Sequence, residues 1–155
     1  DGYNEVKYSA TGATEQYYYD ENNLVYKKVD AMGGESWYGY NSWHERTLVG
    51  TPEGKVVGYD YDDRGNLIRL TAADGAETIY EYDDHNRLIA RTDAAGNREE
   101  WVYDKETALL LKYKEADGTV VTYTYEKDKQ QPSAIEYGEE LRAVQPAADA
   151  GAVRA

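Results

Sequence analysis

The sequence predicts an all-β fold: a repetitive antiparallel hairpin ribbon of about twelve strands forming a curled or spiral open sheet. Three observations lead there. An aromatic-x-aromatic-polar motif returns in one frame at Tyr17-x-Tyr19-Asp20, Tyr38-x-Tyr40-Asn41, Tyr59-x-Tyr61-Asp62, Tyr80-x-Tyr82-Asp83, Trp101-x-Tyr103-Asp104 and Tyr123-x-Tyr125-Glu126, with spacings of 21, 21, 21, 21 and 22 residues. A glycine stands five residues before each start, at Gly12, Gly33, Gly54, Gly75, Gly96 and Gly118, so two landmarks keep one register. The two aromatics of each motif are two residues apart, which puts them on one face of an extended strand and the intervening residue on the other.

The unit from Tyr59 to Ile79 justifies the elements in order. Tyr59 to Asp62 closes one strand, and Asp63-Arg64-Gly65-Asn66 follows with residues that tolerate positive φ, as a tight hairpin turn demands. Leu67 to Thr71 makes the return strand. Ala72-Ala73-Asp74-Gly75 supplies a second turn, and Ala76 to Ile79 begins the next strand. Each unit is therefore a hairpin with strands of about six or seven residues, joined to the next by a short turn. At about 4.8 Å between strands, twelve of them extend on the order of 60 Å along the hydrogen-bonding direction and about 20 to 24 Å across it.

Tyr59, Tyr80, Trp101 and Tyr123 are expected to form one row of the core, with Tyr61, Tyr82, Tyr103 and Tyr125 beside it. Leu67, Leu88 and Leu109, with Val25 in the first unit, hold the place eight residues after each start. The unit starting at Tyr38 offers Arg46 there and Leu48 two residues later, which predicts a distorted turn or bulge around Ser42 to Thr47.

Composition narrows the function classes. A chain of 155 residues reads as one domain, here an array over residues 1–138 with an Ala-rich tail over 139–155. The absence of cysteine removes disulfides, thiolate metal sites and cysteine nucleophiles together. Phe is absent and Tyr numbers 17, so buried surface must come largely from tyrosine rings whose hydroxyls stay bonded. A net charge of -13, from 17 basic and 30 acidic residues, repels phosphate backbones and anionic headgroups, arguing against nucleic acid or a membrane surface as partner. No spanning segment or signal peptide is read, and a chain that opens on Asp1 in mid-unit is expected to be an excised segment.

The run Tyr59-Asp-Tyr-Asp-Asp-Arg-Gly-Asn-Leu67, followed by Gly75 and Tyr80-Glu-Tyr-Asp83, resembles the YD repeat of the rearrangement-hotspot (Rhs) family, and six frames extend the likeness over roughly residues 17–138. The resemblance implies an all-β strip of the kind found in bacterial polymorphic toxins, insecticidal toxin complexes, wall-associated proteins and teneurins. Long arrays there form a hollow shell around a toxin or other payload. It implies as partners the rest of such a shell or the payload, and a secreted or cell-surface location. The Asp-Pro-x-Gly self-cleavage motif of complete members has no counterpart here, so no catalytic residue carries over. A compact payload of about 100 residues has a radius of gyration near 13 Å, hence an outer circumference above roughly 100 Å, which a ribbon of about 60 Å does not enclose.

Candidate chemistry is weighed against that frame. Asp20, Asp62, Asp83 and Asp104 share one repeat position, and a paired-carboxylate site is conceivable, but a residue repeated in every unit serves every unit, and turn capping is the stronger reading. Asp60-x-Asp62-Asp63-x-Gly65-Asn66 has the clustered oxygens of a calcium loop without its distal glutamate. Gly50-Thr-Pro-Glu-Gly54-Lys55-Val56 misses the phosphate-loop spacing. Ser42 and His44 lie two apart with no third member to complete a triad. The sequence therefore calls for a non-enzymatic structural segment with no cofactor and no metal. The alternative is a surface module that binds a glycan or a protein through aromatics outside the motif, for which Trp37, Trp43 and the nearby His44 are the candidates.

Overall fold

The computed structural model describes residues 4–8, 12 and 14–139 of the chain. Their strands are β1 (Asn4–Tyr8), β2 (Thr14–Tyr19), β3 (Val25–Val29), β4 (Glu35–Tyr40), β5 (Arg46–Gly50), β6 (Val56–Tyr61), β7 (Leu67–Thr71), β8 (Glu77–Tyr82), β9 (Leu88–Thr92), β10 (Arg98–Tyr103), β11 (Leu110–Lys114), β12 (Thr119–Thr124) and β13 (Ala134–Glu139). A six-residue strand, a five-residue turn, a five-residue strand and a second five-residue turn fill one 21-residue unit, so the strands are slightly shorter than the spacing suggested. No helix is present among the described residues, and the fold is all-β.

The chain falls into two compact units, Asp1–Asn97 and Arg98–Ala155. In the first, β1 to β9 form a meander in which each strand pairs antiparallel with its chain neighbours. In the second, β10 to β13 do the same. The last strand of each unit does not return to the first, so each sheet is open.

A β-bulge recurs where the motif ends. In β6 and β7 the pairs run Tyr59↔Leu70 and Asp60↔Arg69, then jump to Tyr61↔Leu67, leaving Ile68 as the extra residue. The same shift falls at Tyr18/Tyr19, Gly39/Tyr40, Glu81/Tyr82 and Val102/Tyr103. The distortion expected around Ser42 to Thr47 is thus no private feature of that unit. Arg46 takes the same bulge position as Leu67 and Leu88, and its turn has the ordinary form. The unit that departs is the next but two. Its 22-residue spacing comes from a turn one residue longer between β10 and β11, and Leu110, not the expected Leu109, pairs with Tyr103.

The bulge keeps both tyrosines of a motif on one face while the return strand delivers aliphatic residues opposite them. In β8, Thr78, Tyr80 and Tyr82 are half-buried, and Glu77, Ile79 and Glu81 are exposed. The sheets are single layers, and of the described hydrophobic side chains only Ala90 and Val121, at 1% and 3% exposure, are fully buried. Cohesion comes from ladder hydrogen bonds and cross-strand pairs, each pair contributing about 0.2–1 kcal/mol. Trp101 stacked on Tyr113, with ring centroids 5.3 Å apart, is one such pair. Arg69 bonded to Asp60 at 2.6 Å is another, on the opposite face from the tyrosines.

Candidate functional site

The motif carboxylate builds the turn. Asp62 Oδ1 accepts the backbone N–H of Arg64 at 2.9 Å and of Asn66 at 2.8 Å, while its Oδ2 accepts from the Asn66 side chain at 2.9 Å. The turn is closed by the Asp62 N–H to the Asn66 carbonyl and the Gly65 N–H to the Asp62 carbonyl. Asp20 and Asp83 repeat the arrangement. Asn41 does the same with its amide oxygen, which shows that the turn needs the acceptor and not the charge. Bonding from Asn66 holds the Asp62 carboxyl below the usual range, and Asn97 does so for Asp93 in the second turn type. Asp104 serves the longer turn, accepting from the N–H groups of Glu106 and Thr107.

The fourth residue of each five-residue turn lies in the left-handed region. Gly65 has φ 82° and Gly75 85°, but the same place is held by Asn23 at 62°, His44 at 65° and Asn86 at 60°. Asn and His are among the non-glycine residues most often found there.

The second tyrosine of the motif has a separate task. Tyr61 Oη donates to the backbone carbonyl of Arg46 at 2.8 Å, and Tyr40, Tyr82 and Tyr125 donate to the carbonyls of Val25, Leu67 and Leu110 at 2.8, 3.0 and 2.7 Å. Every acceptor lies 15 residues earlier, at the first residue of the preceding return strand, where the bulge interrupts the ladder. Burial pushes the Tyr61 and Tyr82 hydroxyls above the usual tyrosine range.

Trp37, Trp43 and His44 are placed differently. Trp37 lies mid-strand in β4, on the face opposite the tyrosines, opposite Gly50 and under Lys27, whose Nζ is 4.7 Å from its ring centroid. Lys27 is itself bonded to Glu35 at 2.6 Å. Trp43 stands at the third turn position, 67% exposed, and His44 is the left-handed residue of that turn. The structure therefore gives these residues separate local settings, one in a strand and two in the turn beyond its end.

The carboxylates of the paired-acid and calcium-loop patterns are held by protein donors, Asp60 by Arg69 and Asp62 by Arg64 and Asn66. Among the described residues no group of His, Asp or Glu is arranged to hold a metal ion. What the sequence reading missed is a hollow in the second unit between the β10–β11 turn and the β12–β13 loop, lined by Tyr123 and Tyr125. Its signals were the 22-residue spacing and the loss of the frame after Glu126.

Comparison with known proteins agrees with this geometry. The family model described as RHS Repeat matches residues 61–98. No curated protein sequence matches the chain. Among solved structures, TcdB2-TccC3 without its hypervariable C-terminal region superposes with a TM-score of 0.62 at 17% identity, over 73% of this chain and 6% of that one. TcdB2-TccC3-Cdc42 gives 0.56 at 13% identity, over 81% of this chain and 9% of that one. The likeness is one of fold, and this chain spans less than a tenth of either structure's length.

Proposed function

We propose, from the premise that this chain is an Rhs-repeat array, that it works as a non-catalytic structural segment of a β-shell or scaffold around or beside a toxin or other payload. The observation that carries this reading is the engagement of the motif's own polar atoms. The Asp62 carboxylate is filled by its turn, and the hydroxyls of four second tyrosines are bonded to the preceding hairpin. A catalytic group must keep a proton or lone pair available to substrate, whereas these are aimed at neighbouring backbone.

Exposure supports the scaffold reading as well. A single-layer sheet with two fully buried hydrophobic side chains leaves both faces open to further protein. The array over residues 1–138 is the working part; the Ala-rich tail expected over 139–155 lies, beyond Glu139, outside the described residues. Among the described residues no helix is long and apolar enough to cross a membrane. We place the parent assembly outside the cell or at its surface, as the resemblance to the Rhs family implies.

The test joins the chain to further repeats of its own frame and a carboxy-terminal reporter domain, then follows protease digestion of the reporter. The expected result is a reporter half-life that lengthens as repeats are added. Cleavage at one rate with and without the array overturns the scaffold role. Turnover of any hydrolase substrate that is lost in Asp62→Asn but kept in Asp83→Asn would instead identify an active site.

A further inference from the structure

Repeated residues serve every unit, so a local role is to be sought where the repeat departs from its own pattern. Three departures meet on one face of β10 and β11. The first aromatic of the motif is Tyr17, Tyr38, Tyr59 and Tyr80 in turn and then Trp101, and its partner on the return strand is Lys28, Val49, Leu70 and Arg91 and then Tyr113. Glu99, two residues before Trp101, stands where the three preceding repeats have Ser36, Val57 and Thr78. The indole and phenol rings are stacked, with centroids 5.3 Å apart and planes 25° from parallel. The Tyr113 hydroxyl donates to the Glu99 carboxylate.

We propose that Trp101, Tyr113 and Glu99 form a redox site that takes one oxidising equivalent from a one-electron oxidant and holds it as a neutral tyrosyl radical. Both rings are only half-buried, so a small oxidant reaches them. The oxidant gains one electron and leaves the indole as a radical cation. Tyr113 then passes one electron to the indole across the stack, and its phenolic proton moves to the Glu99 carboxylate. The indole is restored, the phenol becomes a neutral radical and Glu99 a neutral acid. A one-electron reductant such as ascorbate returns the electron to the phenoxyl oxygen, which takes its proton back from Glu99.

The partner of the hydroxyl separates this tyrosine from the others. A phenol gives up an electron readily only as its proton leaves, and a carboxylate already bonded to it receives that proton without a diffusing base. Tyr61, Tyr82 and Tyr125 donate instead to backbone carbonyls, which are not bases. Tyr17 does donate to a carboxylate, that of Glu15 at 2.7 Å, but Lys28 shares that carboxylate and lies 5.4 Å from the Tyr17 ring centroid, where its charge opposes a neighbouring radical cation. The chain has no cysteine, so no thiol competes for the oxidant.

Pulse radiolysis of the full chain, with azide radical as the oxidant, tests the site in a Trp37→Phe, Trp43→Phe background that leaves Trp101 as the sole indole. Tryptophyl absorption should decay into tyrosyl absorption in a first-order phase that is independent of protein concentration and slower in heavy water. Tyr113→Phe keeps the stacked ring, removes the phenol and should remove that phase. Glu99→Gln keeps an acceptor but not a base and should slow the phase about tenfold, while Tyr17→Phe should leave it unchanged. No such phase in the parent chain overturns the proposal, as does an equal rate in Tyr113→Phe. An unchanged rate and isotope effect in Glu99→Gln also overturns it, since Glu99 would then only hold the ring in place.

Discussion

The Tyr61 hydroxyl donates to the main-chain carbonyl of Arg46 at 2.8 Å, joining a strand of one repeat to the bulge of the repeat before it. Arg46 stands beside the bulge and outside the β5–β6 register, which begins at Leu48, and a part-buried carbonyl left without a donor costs about 1–3 kcal/mol. The tyrosine ring contributes apolar cover on the same face, and its hydroxyl completes the bond. Tyrosine is therefore favoured over phenylalanine at this position for a backbone reason.

Replacing Tyr61 or Tyr82 by Phe should cost about 1 kcal/mol each, since the ring remains and one hydrogen bond is lost. Urea unfolding followed by circular dichroism should show a lower midpoint with unchanged slope. Equal midpoints for wild type and both variants would remove the hydroxyl bond from the account of stability.

The turn acceptor separates chemistry from charge. Asp62→Asn keeps an oxygen for the N–H groups of Arg64 and Asn66, as Asn41 does naturally, and should change stability by less than about 0.5 kcal/mol. Asp62→Ala leaves those donors without the side-chain oxygen and should cost about 1–2 kcal/mol. If thermal melts rank the two variants the other way round, the carboxylate's charge matters more than its geometry.

The left-handed turn position gives a graded series. Gly75→Ala meets no atom within 4 Å, so its cost is backbone strain alone, about 1 kcal/mol. Gly65→Ala adds a contact at 2.8 Å with the Glu45 carboxylate and should cost more unless that flexible side chain swings away. Ala108→Gly should stabilise by about 0.5–1 kcal/mol by relieving the same strain. Melting temperatures of the three variants check the order.

Titration should destabilise the fold from both ends. Asp62, Asp93 and Asp117 have folded values below their unfolded ones, so their contribution is whole above about pH 4 and declines as pH falls through the lower folded values. Tyr61 and Tyr82 have folded values above the unfolded one, so their contribution is whole below about pH 10 and is lost as pH rises through the folded values. Stability measured from pH 2 to 12 should form a plateau; a steep slope between about pH 5 and 9 would show that other groups dominate.

Much of the fold was legible because turns and strand faces are encoded by residue type at fixed spacing. Gly75 marks its turn, and Tyr80 with Tyr82 marks a half-buried face. A bulge was expected only around Ser42 to Thr47, where one falls at Thr47; its recurrence was not legible, since Ile68 and Ile89 look like ordinary strand residues and only pairing reveals them as extra. For the same reason Leu109 looked equivalent to Leu67 and Leu88 by spacing, whereas the register gives that place to Leu110. His44 and Trp43 looked exceptional by residue type, yet they fill standard turn positions that tolerate several side chains. The hollow beside Tyr123 and Tyr125 arises from two irregular loops, and no local pattern in either announces that they face each other.

Within each unit every strand finds its partner in the strand made just before it. No early segment has to wait, exposed, for a distant one to be synthesised. Such a sheet can grow at the pace of translation, each new hairpin using the last as its template, and loop-closure entropy stays small at every step. An interrupted chain would then carry a folded stub rather than a tangled one, with its growing edge as the part most in need of a chaperone.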